Sequence, residues 1–200
     1  MGDSPPLPVK LVFLLEEPSM KEVLDGVLHR LGLPSEVTFQ CVPHQGKQDL
    51  ERSIPNKLRG WNDPDHDIRF VVLRDNDGHP RCAELKQRLA KLCSDNGRPD
   101  ALIRLACQEM ESWLLGDPNA IAVGFEDQTL VKKIGNKAKF RDPDHLLKPS
   151  EELKALILGY QKRSGARKIA PYLDPDLNRS RSFQVFVNGL QRLVQDVTPA

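Results

Sequence analysis

Asp75 and Asp77 stand one residue apart where an apolar run ends, in the stretch FVVLRDNDG at residues 70 to 78. In an extended chain, residues i and i+2 point to the same side with Cα atoms roughly 6–7 Å apart. Both carboxylates could then converge on one cation or on a pair of them. Without a cation they repel, and one has its pKa raised. Hard oxygen ligands without Cys or His favour magnesium or manganese over zinc. Asp-Asn-Asp-Gly is also ordinary turn chemistry, so the pair counts as a metal site only if further acids reach it.

Other segments offer such acids. VKLVFLL (residues 9 to 15) runs into Glu16 and Glu17, and ALIRLACQ (101 to 108) runs into Glu109 and Glu111. EVTFQCV (36 to 42) is followed by His44, Gly46 and Lys47. If these runs are parallel strands, their carboxyl ends share one rim, and ligands bind along such a rim. Glu16 beside Asp75 and Asp77 strengthens the metal reading. Glu109 and Glu111 also have a plain explanation, since acids in a helix's first turn are favoured by the macrodipole. An EF-hand is excluded because Pro80 stands where that loop needs Gly. Gly46-Lys47 lacks the rest of a phosphate-binding loop, and there is no GxSxG or HExxH.

The elements that must position these residues follow from periodicity. VKLVFLL, EVTFQCV, IRFVVLR (68 to 74) and ALIRLACQ read as strands. Ser19 to Glu22 fits a capping box opening a helix that carries Leu24, Val27, Leu28 and Leu31 and stops at Gly32. A second helix, 48 to 61, has Leu50, Ile54, Leu58 and Trp61 on one stripe, and Pro55 within it predicts a kink or break. A third spans Cys82 to Cys93 and ends at Asn96-Gly97. EMESWLL reads as helical, and Asp117-Pro118 opens another short helix.

Alternating strands and helices imply parallel pairing with right-handed crossovers, an α/β layered fold with a mainly parallel four-stranded sheet. After residue 125 no strand pattern remains, and short helices are expected at 150–158, 164–171 and 182–195. The chain therefore divides into a core, 1–125, and a basic helical extension, 126–200, packed on it.

Composition narrows the class. With 39% hydrophobic and 28% charged residues the chain is an ordinary globular protein rather than a disordered one. No apolar run approaches the roughly 18 residues of a membrane span. The N-terminus MGDSPPLPVK has no signal-peptide pattern. Cys41, Cys82, Cys93 and Cys107 form no CxxC pair, which predicts buried thiols in a reducing cytoplasm.

The net charge of +1 conceals an asymmetry. Residues 1–126 hold 15 Lys and Arg against 20 Asp and Glu, and residues 127–200 hold 14 against 8. An acidic front and basic back fit a cation in one and a polyanion on the other. Phe140, Tyr160, Tyr172 and Phe183 interleave the basic residues, as stacking platforms for bases or as anchors of short helices.

A strand ending in Glu, another ending in Asp-x-Asp and a parallel core resemble the TOPRIM domain of topoisomerases, bacterial primases and overcoming-lysogenization-defect (OLD) nucleases. LVFLLEEPSMKEVL resembles that family's first motif, with Glu17 standing where a glycine is usual. FLLEEPSMKE, HQGKQDLERSIPNKLRGW, FVVLRDNDG, CQEMESWLLGD and RSRSF resemble stretches of a bacterial domain-of-unknown-function family of RloG-like, TOPRIM-like proteins related to the OLD nucleases. The likeness covers nearly the whole chain.

The resemblance implies a TOPRIM-like catalytic core and magnesium- or manganese-dependent phosphodiester chemistry. Glu16 would be a general acid/base or a ligand, Asp75 and Asp77 the principal metal ligands, and Glu111 a further acid. Which of Glu16 and Glu17, and of Glu109 and Glu111, faces the site stays open. Cleaving a nucleic-acid backbone needs a cation to neutralise phosphoryl charge and activate water. Lys47 would add a fixed positive charge at the developing phosphorane, or would simply be a solvated residue opening a helix.

The expected activity is a nuclease of a bacterial defence or DNA-processing system. Its partner would be nucleic acid, DNA ahead of RNA, together with an ATPase protein, because this chain has no nucleotide loop of its own. The competing expectation is a non-catalytic TOPRIM-like scaffold for an ATPase or nucleic acid.

Overall fold

The structure is a computed structural model that describes residues 6–78 and 81–195. Pro80 and the first half of the MGDSPPLPVK stretch lie outside the described residues, as do the outermost residues of both proposed segments.

Four strands, β1 (Val9–Leu15), β2 (Thr38–Pro43), β3 (Asp67–Asp75) and β4 (Leu102–Ala106), form one sheet in the order β2-β1-β3-β4, and all three pairings are parallel. The fold is α/β. Side chains alternate across the central strands. Leu11, Phe13, Leu15, Val71 and Leu73 join one apolar cluster, while Val12, Leu14, Phe70 and Val72 join the other. Burial on both faces explains why β1 and β3 read as unbroken apolar runs.

The connecting helices cover the faces as right-handed crossovers require. Helix α1 (Pro18–Val27) joins β1 to β2, and its Met20, Val23, Leu24 and Val27 lie in the first cluster. Helices α2 (Lys47–Gly60) and α3 (Cys82–Ser94) lie on the opposite face, with Leu50, Ile54, Leu58, Leu85 and Leu89 in the second cluster. The first connection leaves β1 toward β2, and the next returns past β1 to β3. The direction of winding therefore reverses between β1 and β3.

After β4 come five short α-helices, α4 (Glu111–Leu115), α5 (Pro118–Gly124), α6 (Thr129–Gly135), α7 (Pro149–Leu156) and α8 (Lys162–Ile169), and the longer α9 (Arg181–Gln195). Their buried residues, among them Trp113, Ile121, Leu130, Leu153, Ile169, Phe183 and Phe186, extend the first cluster without a break from β1 and α1. The C-terminal helices thus share the core of the sheet's α1 face. Helix α6 was not expected from the sequence.

Three local expectations are corrected. Ser19 and Glu22 form no capping box. The N-cap is Glu17, in extended conformation with Pro18 at the first helical position, and Ser19 Oγ donates to the Glu17 carboxylate. Glu22 instead accepts from Arg163 and Arg167 of α8 at 2.7–2.9 Å, charge-assisted bonds that outcompete a backbone N–H. Pro55 does not break α2, which runs as one helix through it, with Leu50, Ile54 and Leu58 buried on both sides so that tertiary packing holds it together. The thiols are unbridged but not all buried: Cys93 is, Cys41 and Cys107 are half-buried, and Cys82 is exposed.

Candidate functional site

In open parallel sheets, ligands bind beyond the carboxyl ends of the strands where the winding reverses. Here that point lies between β1 and β3, whose next residues are Glu16 and the end of the strand at Asp75. Glu16 N–H donates to Leu73 O at 3.1 Å, prolonging the ladder, and its carboxylate Oε2 accepts from Asp75 N–H at 3.0 Å. Gly46 N–H donates to Glu16 O at 2.8 Å, which fixes the β2 loop and the start of α2 against the same rim. Burial raises the Glu16 pKa, with Asp77 and Glu17 adding repulsion, against the Asp75 N–H and the Arg74 guanidinium, which lower it.

Asp75 and Asp77 do not point to the same side. Asp77 has φ of +51°, so the chain leaves the extended conformation there and the i, i+2 geometry does not apply. Its Oδ2 lies 3.2 Å from Lys47 Nζ and 3.6 Å from Arg74 Nη2, on the α2/α3 side. Arg74 is buried there. Its Nη1 donates to Glu51 Oε1 at 2.7 Å and its Nε to Asp75 O at 3.0 Å, while its Nε stands 3.7 Å from Glu16 Oε2. A cavity of about 310 Å³ opens beside this group, lined by Lys47, Glu51, Arg74 and Arg88 among others.

The Asp75 side chain turns toward the α1 side and joins a second group. Asp75 and Glu111 are buried, at 4% and 2% exposure, and Asp75 Oδ1 and Glu111 Oε2 have no hydrogen-bond partner among the described residues. Burial drives the Asp75 pKa well above the ordinary carboxylate range, helped by repulsion from Glu111, Glu16 and Glu17. Burial also lifts Glu111 to about 7, countered by Lys162.

Lys162, the first residue of α8, reaches into this group from the C-terminal helices. Its Nζ lies 3.5 Å from Glu17 Oε1, 3.6 Å from Glu111 Oε2 and 3.9 Å from Glu109 Oε1. The Tyr160 hydroxyl is buried nearby without a hydrogen-bond partner among the described residues. Its pKa is raised by burial and then by Glu111, Glu109 and Glu17.

Glu16 and Glu17 thus both face the rim, on opposite sides of it. Glu109 and Glu111 divide their work. Glu109 accepts from Ser150 N–H at 2.8 Å and Ser150 Oγ at 3.0 Å, so it caps the start of α7, whereas Glu111 Oε2 has no hydrogen-bond partner among the described residues, only the Lys162 ammonium at 3.6 Å.

Below them Ser182, at the start of α9, accepts from Trp113 Nε1 at 2.8 Å and Cys107 N–H at 3.3 Å. Asp144 accepts from Ser182 N–H at 2.7 Å and Ser180 Oγ at 2.7 Å. This network anchors the loop between β4 and α4, which carries Glu109, and the start of α4 at Glu111.

Much of the expected basic surface is paired within the fold: Lys133 with Asp127, Lys139 with Glu152, and Arg163 and Arg167 with Glu22. Phe140, Tyr160 and Phe183 are buried core anchors rather than stacking platforms, while Tyr172 is 48% exposed.

The sequence matches the family described as a domain of unknown function (DUF4276) over residues 15–191. The chain belongs to that family. No curated protein and no solved structure matches it. The matched span of this DUF4276 member begins one residue before Glu16 and includes every rim carboxylate and Lys162.

Among the described residues, no three Asp, Glu, His or Cys side chains already stand in an arrangement that would hold a metal ion, and no helix is long and apolar enough to cross a membrane. The donor set around Asp75 nonetheless suits a hard cation: it is all oxygen, and two of its buried carboxylate oxygens lack a donor.

Sequence reasoning missed Lys162, Tyr160 and Arg74 as parts of the site. Nothing in the sequence marks Lys162 apart from the other 28 Lys and Arg residues. Arg74, one residue before Asp75 in a buried strand, carried the visible signal of a charge placed where apolar residues belong.

Proposed function

We propose that this chain is a divalent-cation-dependent phosphodiester hydrolase acting on nucleic acid, DNA ahead of RNA, with its site at the Glu16–Asp75 junction. The observation that carries this reading is the pair of buried carboxylates, Asp75 and Glu111: Asp75 Oδ1 and Glu111 Oε2 have no hydrogen-bond partner among the described residues, Glu111 Oε2 having only the Lys162 ammonium at 3.6 Å. Buried charges are expected to be paired or to coordinate metal, and the single ammonium of Lys162 does not balance Glu17, Asp75 and Glu111.

Asp75, Glu111 and Glu17 would hold magnesium or manganese, with Glu16 bridging toward Asp77. When bound, the ion would neutralise charge on the phosphoryl oxygens and lower the pKa of a water. Glu16, raised in pKa and tethered by one oxygen, is suited to carry a proton at its other oxygen. Lys47 and Arg74 offer positive charge beside the cavity on the α2/α3 side, where a phosphate of the bound strand would be stabilised.

The resemblance of FLLEEPSMKE and FVVLRDNDG to TOPRIM-like stretches of the OLD nucleases supports the same chemistry. By the same resemblance the chain would work in a bacterial defence or DNA-processing system beside an ATPase partner, in the cytoplasm.

The test is incubation of the purified protein with supercoiled and single-stranded DNA in manganese, magnesium or chelator, alongside Asp75→Ala, Glu16→Ala and Glu111→Gln. Cleavage that needs the metal and disappears in the variants is expected. Cleavage that survives all three variants would mark a contaminant. No cleavage under any condition would favour a non-catalytic scaffold that binds an ATPase or nucleic acid, the reading favoured by the internal pairing of much of the basic surface.

A further inference from the structure

We propose that Lys162 is a working member of the carboxylate site: a tethered counter-ion that balances the carboxylates until a divalent cation displaces it. The inference rests on the reading of that site as a cation site and adds what controls its occupancy.

Lys162 contacts Glu17, Glu109 and Glu111 at 3.5–3.9 Å. These are ion-pair separations rather than short hydrogen bonds. The ammonium thus lies among the carboxylates without being locked to one. Its pKa is raised, because attraction from Glu111, Glu17, Asp75 and Glu109 outweighs its own desolvation. One charge still leaves the group unbalanced, and Asp75 Oδ1, Glu111 Oε2 and Tyr160 Oη remain buried without hydrogen-bond partners among the described residues.

The backbone beneath Lys162 is held firmly. Tyr160 is buried with its ring against Gly165, where an added Cβ would meet the ring at 2.2 Å. Arg163 and Arg167, on the same helix, clamp α8 to Glu22 of α1. The Lys162 side chain itself is 34% exposed, so it can swing to solvent while α8 stays in place.

Magnesium takes oxygen ligands at about 2.0–2.1 Å and carries twice the charge of an ammonium. It could not share the space with an ammonium 3.6 Å from Glu111. Ion and lysine therefore compete. Without the ion, Lys162 lowers the repulsion among the acids. With the ion bound, Lys162 is released beside the site, where a phosphate oxygen can accept from it.

The test measures Mn²⁺ binding to the full chain from the electron paramagnetic resonance signal of the unbound ion. Lys162→Gln should bind Mn²⁺ about tenfold tighter than wild type, from loss of a partly screened charge in direct competition. Lys162→Arg should stay near wild type, and Asp75→Asn should lose binding. On the wild-type protein, saturating Mn²⁺ should raise the rate at which an acetylating reagent modifies Lys162, read by peptide mass spectrometry.

If wild type binds Mn²⁺ through Asp75 but Lys162→Gln binds no tighter and Lys162 acetylation does not speed up, the counter-ion role is wrong and the cation site stands. Should no variant bind, Lys162→Gln included, both readings fall. If Lys162→Gln does not fold, the acetylation rate on wild type decides alone.

Discussion

The Asp75 N–H donates to Glu16 Oε2 at 3.0 Å, directly across the point where the sheet reverses its winding. One acid at the end of β1 thereby closes the ladder at the end of β3, which makes Glu16 a structural acceptor as well as a candidate acid. The two roles separate by substitution. Glu16→Gln keeps an acceptor oxygen and should hold stability within about 0.5 kcal/mol, whereas Glu16→Ala leaves the Asp75 N–H unpaired and should cost about 1–3 kcal/mol. Both should abolish metal-dependent cleavage. Urea denaturation of the three proteins, paired with the DNA assay, makes the comparison. Equal stability losses would show that the hydrogen bond is not what Glu16 contributes.

Asp75 and Glu111 should make the metal-free protein less stable as pH rises. Both carboxyl groups have raised pKa values in the fold, Glu111 from an ordinary 4.5 to about 7. The folded state therefore favours their protonated forms. The share that Glu111 provides is complete below about pH 4.5 and is lost as pH climbs through about 7. Glu111→Gln, neutral at every pH, should flatten the decline and raise stability at pH 8 by about 1–3 kcal/mol. Saturating Mn²⁺ should flatten it in the wild type. Thermal melts from pH 5 to 8, with chelator and with Mn²⁺, provide the measurement. A wild-type curve that rises over this interval would contradict the burial of unpaired acids.

Periodicity reveals the four strands and the helices between them because burial on both faces of β1 and β3 leaves an unmistakable apolar run. The rim follows from parallel pairing, so Glu16, Asp75 and Glu111 could be placed at one edge before any coordinates. What stays hidden depends on single dihedral angles and on contacts between distant segments. Asp77 reads as the partner of Asp75 only while the chain is extended, and its φ of +51° turns it to Lys47 and Arg74 instead. Ser19 and Glu22 satisfy a local capping pattern, yet Arg163 and Arg167, 141 and 145 residues away, claim the glutamate. Lys162 enters the site from a segment whose charge pattern points outward. Such long-range pairings have no signature in a local window.

Glu109 and Ser150 should behave as a helix cap and not as part of the chemistry. Both Glu109 oxygens are engaged by Ser150, at the start of α7. Glu109→Ala and Ser150→Ala should each cost about 1 kcal/mol, the usual range for losing a cap, and the double variant should cost much less than their sum. Cleavage per folded molecule should persist in Ser150→Ala. A double-mutant cycle by chemical denaturation tests the coupling. Additive losses would mean that the two residues do not act through each other.

Glu22 clamps the C-terminal helices to α1, and acid should release that clamp. Its carboxylate is held at a pKa of about 2, first by hydrogen bonds from Arg167 and Arg163. A depressed carboxylate stabilises the fold above its unfolded value near 4.5, and the contribution disappears as pH falls through about 2. The two guanidinium groups are 63% and 67% exposed, so solvent screening limits the contribution to about 1 kcal/mol. Glu22→Gln should therefore destabilise the protein by about that amount at pH 7, and the difference from wild type should vanish near pH 2. Because α8 carries Lys162 into the carboxylate site, the same substitution should also loosen the lysine and speed its acetylation at neutral pH. Melting curves from pH 2 to 7 and peptide mass spectrometry of Lys162 test the two consequences separately. An unchanged acetylation rate would show that the Tyr160–Gly165 contact holds α8 without help from Glu22.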